Sequence, residues 1–290
     1  MLKTTKILFL MGFIFVITNL AWAVDAIKTS PTDIRLYTLN CGTINVHDVY
    51  GLDDTEFYQH QSLTFADPCY LIKHDSQWML WDLGLGDKYL EDKYLRQIID
   101  NKTYGVKLNV STSLVNQLKQ VGLTPRDIKY IAISHAHFDH VGNINLFPHA
   151  TLLIQDDEYN SIQQSPLPSG VNPALLKYIR NMHKILIKGN FNVFGDNSVI
   201  LLHTPGHTPG HQSLQIKLPT SGIVILSGDL YNTRAAFKNK LVPVGNVNRA
   251  DTLASMDRIN GILKNTKRRL IIQHDIDDFN SMPKFPNYLN

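Results

Sequence analysis

The chain has 290 residues, 43% of them hydrophobic and 18% charged, which is enough apolar content for a full core and too much for intrinsic disorder. Its 28 basic and 25 acidic residues give a formal charge of +3, and the only dense basic cluster is Lys264 to Arg269, so nucleic acid is not the expected partner. Twelve histidines against two cysteines direct attention to imidazole chemistry and away from a zinc ribbon or a disulfide-built scaffold.

Residues 1–23 read as a cleavable signal peptide: Lys3 and Lys6, an apolar run from Ile7 to Leu20, then Ala21-Trp22-Ala23, a small-x-small cleavage site. The competing reading is an uncleaved anchor, because Ile7 to Ala23 approaches the ~20 apolar residues of a membrane span. Cleavage would release residues 24–290 as a single domain, periplasmic or secreted, with a charge of about +1 and no stable membrane insertion, since no later run is long and apolar enough. Cys41 and Cys69 then lie in a compartment where a disulfide can persist, at the ends of predicted strands; a bridge and a pair of small buried hydrophobes both remain open.

Short alternating or apolar runs predict strands at Ile34 to Leu39, Cys69 to Lys73, Trp78 to Trp81, Tyr130 to Ile133, Thr151 to Ile154, Val199 to Leu202, Ser213 to Ile216 and Ile223 to Leu226. Helical periodicity predicts helices at Ser113 to Val121, capped by Ser111 or Thr112, and at Asp157 to Gln163, Ala174 to Ile187 and Ala250 to Leu263. The early strands are joined by tight turns, and helices separate the later ones, so a mixed sheet architecture fits. Tyr50 to Phe65, Gly84 to Val110 and Gln163 to Asn172 read as long loops of the kind that border sites.

Directly after the predicted strand Tyr130 to Ile133 comes Ser134-His135-Ala136-His137-Phe138-Asp139-His140, an H-x-H-x-D-H pattern. A strand ending in a tight loop can aim His135 and His137 together and turn Asp139 and His140 towards a second point, the geometry of a two-metal site. Each metal needs about four N or O donors, and three later positions at strand ends can supply the remainder: His207 in Thr204-Pro205-Gly206-His207-Thr208-Pro209-Gly210-His211, Asp229 after Leu226-Ser227-Gly228, and His274 after Ile271-Ile272-Gln273. His211 is the rival of His207, and Asp229 could instead cap a turn. His47, His60, His74, His149, His183 and His203 lack such a context.

This order of motifs resembles the metallo-β-lactamase superfamily over nearly the whole mature chain. Within it, His-Phe-Asp-His at 137–140, Thr-Pro-Gly-His-Thr-Pro-Gly-His-Gln-Ser-Leu at 204–214, His-Asp-Ile at 274–276 and Phe-Pro-Asn-Tyr at 285–288 are most similar to N-acyl homoserine lactonases. The resemblance implies a four-layer αββα sandwich of the α+β class. It also implies two Zn2+ ions, or other divalent transition metals: one on His135, His137 and His207, the other on Asp139, His140 and His274, with Asp229 bridging. Asp82 matches the family's Asp-x-Gly turn and would orient ligands through hydrogen bonds. The implied activity is hydrolysis of a small-molecule lactone or related ester by metal-bound hydroxide, with Asp139 shuttling a proton to the leaving group. Hydrolysis of a β-lactam, thioester, organophosphate or sulfate ester is the alternative, and a non-catalytic metal-binding module is a further one. Family members carry a catalytic tyrosine three residues after the bridging aspartate; here Tyr231 follows Asp229 by two, and it stands as the candidate for that donor or as ordinary packing.

Overall fold

The pleated backbone of a strand sends successive side chains to opposite faces, and here both faces of the main sheet are apolar. The protein is described by a computed structural model covering residues 32–91 and 105–290. The predicted signal segment 1–23 and part of the predicted 84–110 loop lie outside the described residues. Thirteen strands appear among them: β1 Ile34–Val46, β2 Leu63–His74, β3 Gln77–Trp81, β4 Val106–Asn109, β5 Ile128–Ala132, β6 Thr151–Gln155, β7 Lys184–Ile187, β8 Phe191–Asn192, β9 Val199–His203, β10 Gln212–Leu218, β11 Gly222–Leu226, β12 Arg268–Ile271 and β13 Tyr288–Leu289.

One sheet has the order β13-β1-β2-β3-β5-β6-β7, with β4 also paired to β1, and the other has the order β12-β11-β10-β9-β8. In the first, β1, β2 and β3 form an antiparallel meander, after which β3, β5, β6 and β7 run parallel. In the second, β9, β10 and β11 are antiparallel and β12 adds in parallel to β11.

Leu36, Tyr70, Met79 and Trp81 of the first sheet pack against Val199, Leu214, Val224 and Ile271 of the second in one buried cluster. Leu39, Leu71, Leu80 and Ile131, facing the other way, pack under the helices Leu114–Gln120 and Pro173–Asn181. Leu202, Ile225 and Leu270 on the outer face of the second sheet meet Met256 and Ile259 of the helix Arg249–Asn265. These three apolar contacts define four layers, helix–sheet–sheet–helix, the predicted sandwich. No helix of the described residues is long and apolar enough to cross a membrane.

The structure corrects several sequence expectations. The helix predicted over 174–187 stops at Asn181, and the apolar run that follows is β7, paired in parallel with β6. A short apolar run with β-branched residues satisfies either period, and an open sheet edge decides the matter. The cap of the helix Leu114–Gln120 is Ser113, whose Oγ accepts the Asn116 N–H at 3.1 Å, rather than Ser111 or Thr112. The short strands β4, β8 and β13 carry too few residues for their alternation to be read in advance.

Cys41 and Cys69 form a disulfide with Cα atoms 5.7 Å apart. The β1/β2 ladder pairs Leu39 with Cys69 and Asn40 with Pro68, then shifts register before Thr43, so Cys41 enters the irregularity beside its partner. The bridge spans 28 residues of sequence, a loop whose closure restricts the unfolded chain by ~3.5 kcal/mol. Urea unfolding of the oxidised protein against Cys41→Ala/Cys69→Ala is expected to show a lower midpoint for the variant by a stability loss of that order; coincident midpoints would deny the bridge a stabilising role.

Candidate metal centre

Four strand ends bring the seven predicted residues together. The parallel β11/β12 ladder pairs Leu226 with Ile271, so Asp229 and His274, each three residues further on, emerge side by side. His135 follows the end of β5 by three residues, and the β9–β10 connection carries His207. Gly228 makes the turn before Asp229 with φ of +55°, and a Cβ there would lie 2.6 Å from His211 Nε2 and 2.8 Å from Ser134 Cβ. Only glycine combines that left-handed backbone with so close an approach.

His207 Nε2 lies 3.2 Å from both His135 Nε2 and His137 Nδ1. Asp229 then turns one oxygen to each group of imidazoles. Its Oδ2 is 3.5 Å from His207 Nε2 and 4.0 Å from His135 Nε2, whereas Oδ1 is 3.2 Å from His140 Nε2 and 3.1 Å from His274 Nε2. Asp139 Oδ2 lies 3.8 Å from His140 Nε2 and 3.9 Å from His274 Nε2. Three sets of donors, His135/His137/His207, His135/His140/Asp229 and Asp139/His140/His274, have their ligand atoms within 4.8 Å of one another. Tetrahedral zinc with ~2.0–2.1 Å bonds spaces its donors about 3.3 Å apart, which the two 3.2 Å separations approach.

The chemistry of the donors also fits cations. Asp67, Asp82 and Asp229 are buried and Asp139 is nearly so, and among the described residues none of the four pairs with Lys or Arg. Asp229 Oδ1 is buried without a hydrogen bond. Burial works against the charged form of His140 and His274, yet the surrounding carboxylates, Asp229 foremost, hold His140 well above its ordinary pKa and His274 at about 9. The cluster thus demands positive charge. In the other group, burial and then the neighbouring imidazoles push His135 well below its ordinary value, and burial with His207 lowers His137 to about 4. Both stay neutral, the form that donates a lone pair to a metal.

Three of the imidazoles are aimed from behind. His140 Nδ1–H donates to Asp82 Oδ2 at 2.9 Å, and Asp82 also accepts the Ser134 backbone N–H at 2.6 Å and Gln273 Nε2 at 2.6 Å. His274 Nδ1–H donates to Ala66 O at 2.7 Å, and His207 Nδ1–H to Asn246 Oδ1 at 2.8 Å. Such bonds fix the tautomer that leaves Nε2 free to bind metal. His211, the rival of His207, has both ring nitrogens engaged: Nδ1–H donates to Thr204 O at 2.9 Å, and Nε2 accepts the Asp229 N–H at 2.9 Å. It fixes the backbone of Asp229. The residues Asn246, Gln273 and Ala66 carry no signal in the sequence, because each acts across a fold contact rather than within a motif.

Tyr231 is not brought to the cluster. Its hydroxyl donates to Met256 O at 3.1 Å and reaches Asn260 Oδ1 at 3.3 Å, and its ring packs edge-on against Phe237. Burial, with Asp257 nearby, pushes its phenol well above the ordinary value. The chain after Asp229 makes a tight 3-10 turn over Gly228–Leu230, and the second residue on faces the helix Arg249–Asn265. The third residue, Asn232, faces the cluster instead, with Nδ2 3.3 Å from Asp229 Oδ2. His47, His60, His149 and His183 are exposed, and His74 is satisfied by Asp196 at 2.9 Å and stacks on Phe194. Tyr231→Phe is expected to lower stability by about 1 kcal/mol in urea unfolding while changing kcat/KM by no more than about twofold. A large loss of kcat in that variant would return the hydroxyl to the reaction.

The sequence model of the Metallo-beta-lactamase superfamily matches residues 65–259. An N-acyl homoserine lactonase of Bacillus sp. is 32% identical over 223 residues, 76% of this chain and 86% of the relative. The N-acyl homoserine lactonase AttM of Rhizobium radiobacter is 30% identical over 273 residues, 89% and 99% of the two chains. Among solved structures, an N-acyl homoserine lactone hydrolase with the product N-hexanoyl-L-homoserine bound at its catalytic metal center aligns with a TM-score of 0.75 at 28% identity, over 88% of this chain and 98% of the other. With the fold, the order of the motifs and the family match in agreement, the chain belongs to the metallo-beta-lactamase superfamily, and N-acyl homoserine lactonases are among its relatives.

Proposed function

We propose that the mature protein is an exported hydrolase that opens the lactone ring of N-acyl homoserine lactones with two Zn2+ ions. His135, His137 and His207 would hold one ion, Asp139, His140 and His274 the other, and Asp229 would bridge them. The observation that carries the reading is Asp229, whose two oxygens face the two groups of donors separately. Two ions held by these residues would supply a hydroxide nucleophile near neutral pH and Lewis acidity towards the ester carbonyl.

The protein's own groups divide the remaining tasks. Asp139, whose side chain is 13% exposed against 8% for Asp229, would face the ion through Oδ2, the oxygen turned to His140 and His274, and pass a proton from the attacking water to the departing alkoxide on its other oxygen. Asn232 Nδ2, beside Asp229, would donate to a substrate oxygen in the position Tyr231 has vacated. A cavity of about 320 Å³ reaches His274 and is lined by the apolar Phe57, Leu63 and Phe65 together with the polar Asn232 and Arg234. That composition suits an acyl chain joined to a polar amide. A larger cavity of about 610 Å³, lined by Lys88, Asn116, Asn143 and Tyr178, includes none of the seven residues of the cluster.

The test is the initial rate of the zinc-loaded mature chain on a lactone series of varied acyl length, beside a β-lactam, a thioester and a phosphotriester. Selective lactone opening is expected, lost on chelation and in His137→Ala or Asp139→Ala. Turnover of another class alone would keep the metal chemistry and discard the lactone substrate. Export has its own test: expression with the native leader should yield, outside the cytoplasm, a product whose intact mass corresponds to residues 24–290, and retention of the leader would favour an anchor.

A further inference from the structure

Glu158 has no place in the motif order, yet it is 2% exposed and ties together the two loops that carry His135, His137 and His207. It lies in the helix Asp156–Ser161 directly after β6, which runs parallel to β5. Oε1 accepts the Ala136 backbone N–H at 2.8 Å, between His135 and His137. Oε2 accepts the Gly210 backbone N–H at 3.1 Å, three residues beyond His207. A Cβ at Gly210 would lie 2.2 Å from Glu158 N and 2.5 Å from Glu158 Cβ, so glycine alone lets the second loop come this close.

The two N–H donors go to separate oxygens, and a carboxylate presents two acceptor oxygens where a carboxamide presents one. The charge has a use as well. The Asp139/His140/His274 group contains a carboxylate of its own, whereas the His135/His137/His207 group is built from imidazoles and shares only Asp229. Burial raises the Glu158 pKa and the Ala136 and Gly210 N–H bonds oppose that rise; in its charged form this carboxylate, one step behind three imidazoles, strengthens their hold on a dication in a low-dielectric site. Asp82 does the equivalent for the other group by bonding His140 directly. Glu158 does so through the loop backbones.

We infer that Glu158 is a positioning residue specific to the three-imidazole metal site: it sets the His135/His137/His207 spacing and the affinity of that site, leaving the Asp139/His140/His274 site to Asp82. The inference rests on the two-metal reading above. Its test is Co2+ titration of the metal-stripped mature chain, followed by visible absorption and chelator competition, in wild type, Glu158→Gln and Glu158→Ala, with His137→Ala and His274→Ala identifying the sites. Both Glu158 variants are expected to weaken one site by about 10–100-fold and the other by less than about twofold. The weakened site should be the one that His137→Ala removes, and in the His137→Ala background a Glu158 change should have no further effect on the site that remains.

Equal weakening of both sites, a lower melting temperature with unchanged affinities, or failure of both variants to fold would assign Glu158 to general packing and overturn the inference. Weakening confined to the site that His274→Ala removes would overturn it too. A wild-type chain that binds fewer than two ions would sink the two-metal reading itself, a result distinguishable from all of these.

Discussion

Asp229 is buried at 6% exposure between two groups of imidazoles, with one oxygen turned to each, and that placement is the constraint the rest of the site answers to. A carboxylate without compensation is costly in an apolar interior, and this one shares its end of the molecule with Asp67, Asp82 and Asp139. The protein balances them with histidines rather than with Lys or Arg. Histidine can be protonated when no cation is present and can surrender the proton when one binds, so the same residues stabilise the protein alone and serve a metal. The division is uneven: burial keeps His135 and His137 neutral, whereas Asp229 and its neighbours hold the pKa of His140 and His274 up.

Convergence on Asp229 is a product of strand register. The β11/β12 ladder sets Asp229 next to His274, and the β5 end delivers the H-x-H-x-D-H loop from the opposing sheet. The sheets are held face to face by the apolar contacts of Trp81, Met79, Leu214 and Val224, among others. Polar contacts then lock the junction: Gln212 N–H donates to Ser134 O at 3.0 Å, and Gln212 Nε2 donates to Ile133 O at 2.8 Å, across the two sheets. Trp81 Nε1–H donates to Gln273, which in turn donates to Asp82. A core tryptophan is thereby linked through three hydrogen bonds to His140, and a rigid frame of this kind is what a site with little positional tolerance requires.

The substrate side is built differently from the metal side. The donors come from strand ends, and the walls of the adjoining cavity come from the segment containing Phe57 and Phe65 and from the turn after Asp229. Asp53 organises the first of these walls by accepting the backbone N–H groups of Thr55, Phe57 and Tyr58, and the Tyr58 hydroxyl bonds Thr233 beside Asn232. Loops of this sort change specificity without disturbing the frame. Tyr231 illustrates the point: a shift of one position relative to the family pattern moves a phenol out of the site and a carboxamide towards it.

The sequence alone singled out the seven residues that the fold gathers here, because H-x-H-x-D-H, the Thr-Pro-Gly-His loop and the strand-terminal Asp229 and His274 are short-range patterns of residue types that suit a metal. It also determined most strands, since alternation over five or more residues is a local property, and it left the Cys41–Cys69 pairing open because separation in space is not. What only the tertiary structure decided were the contacts made across layers. Asp82 reaches His140 over 58 positions and Glu158 reaches Gly210 over 52, and β7 becomes a strand because a sheet edge awaits it. His207 rather than His211 faces the donors because Asp229 and Thr204 occupy both nitrogens of His211. Tyr231 faces a helix because a tight turn precedes it. The direction in which a side chain points after a turn depends on backbone dihedral angles fixed by packing against residues far away in the chain, and no reading of the neighbours in sequence contains them.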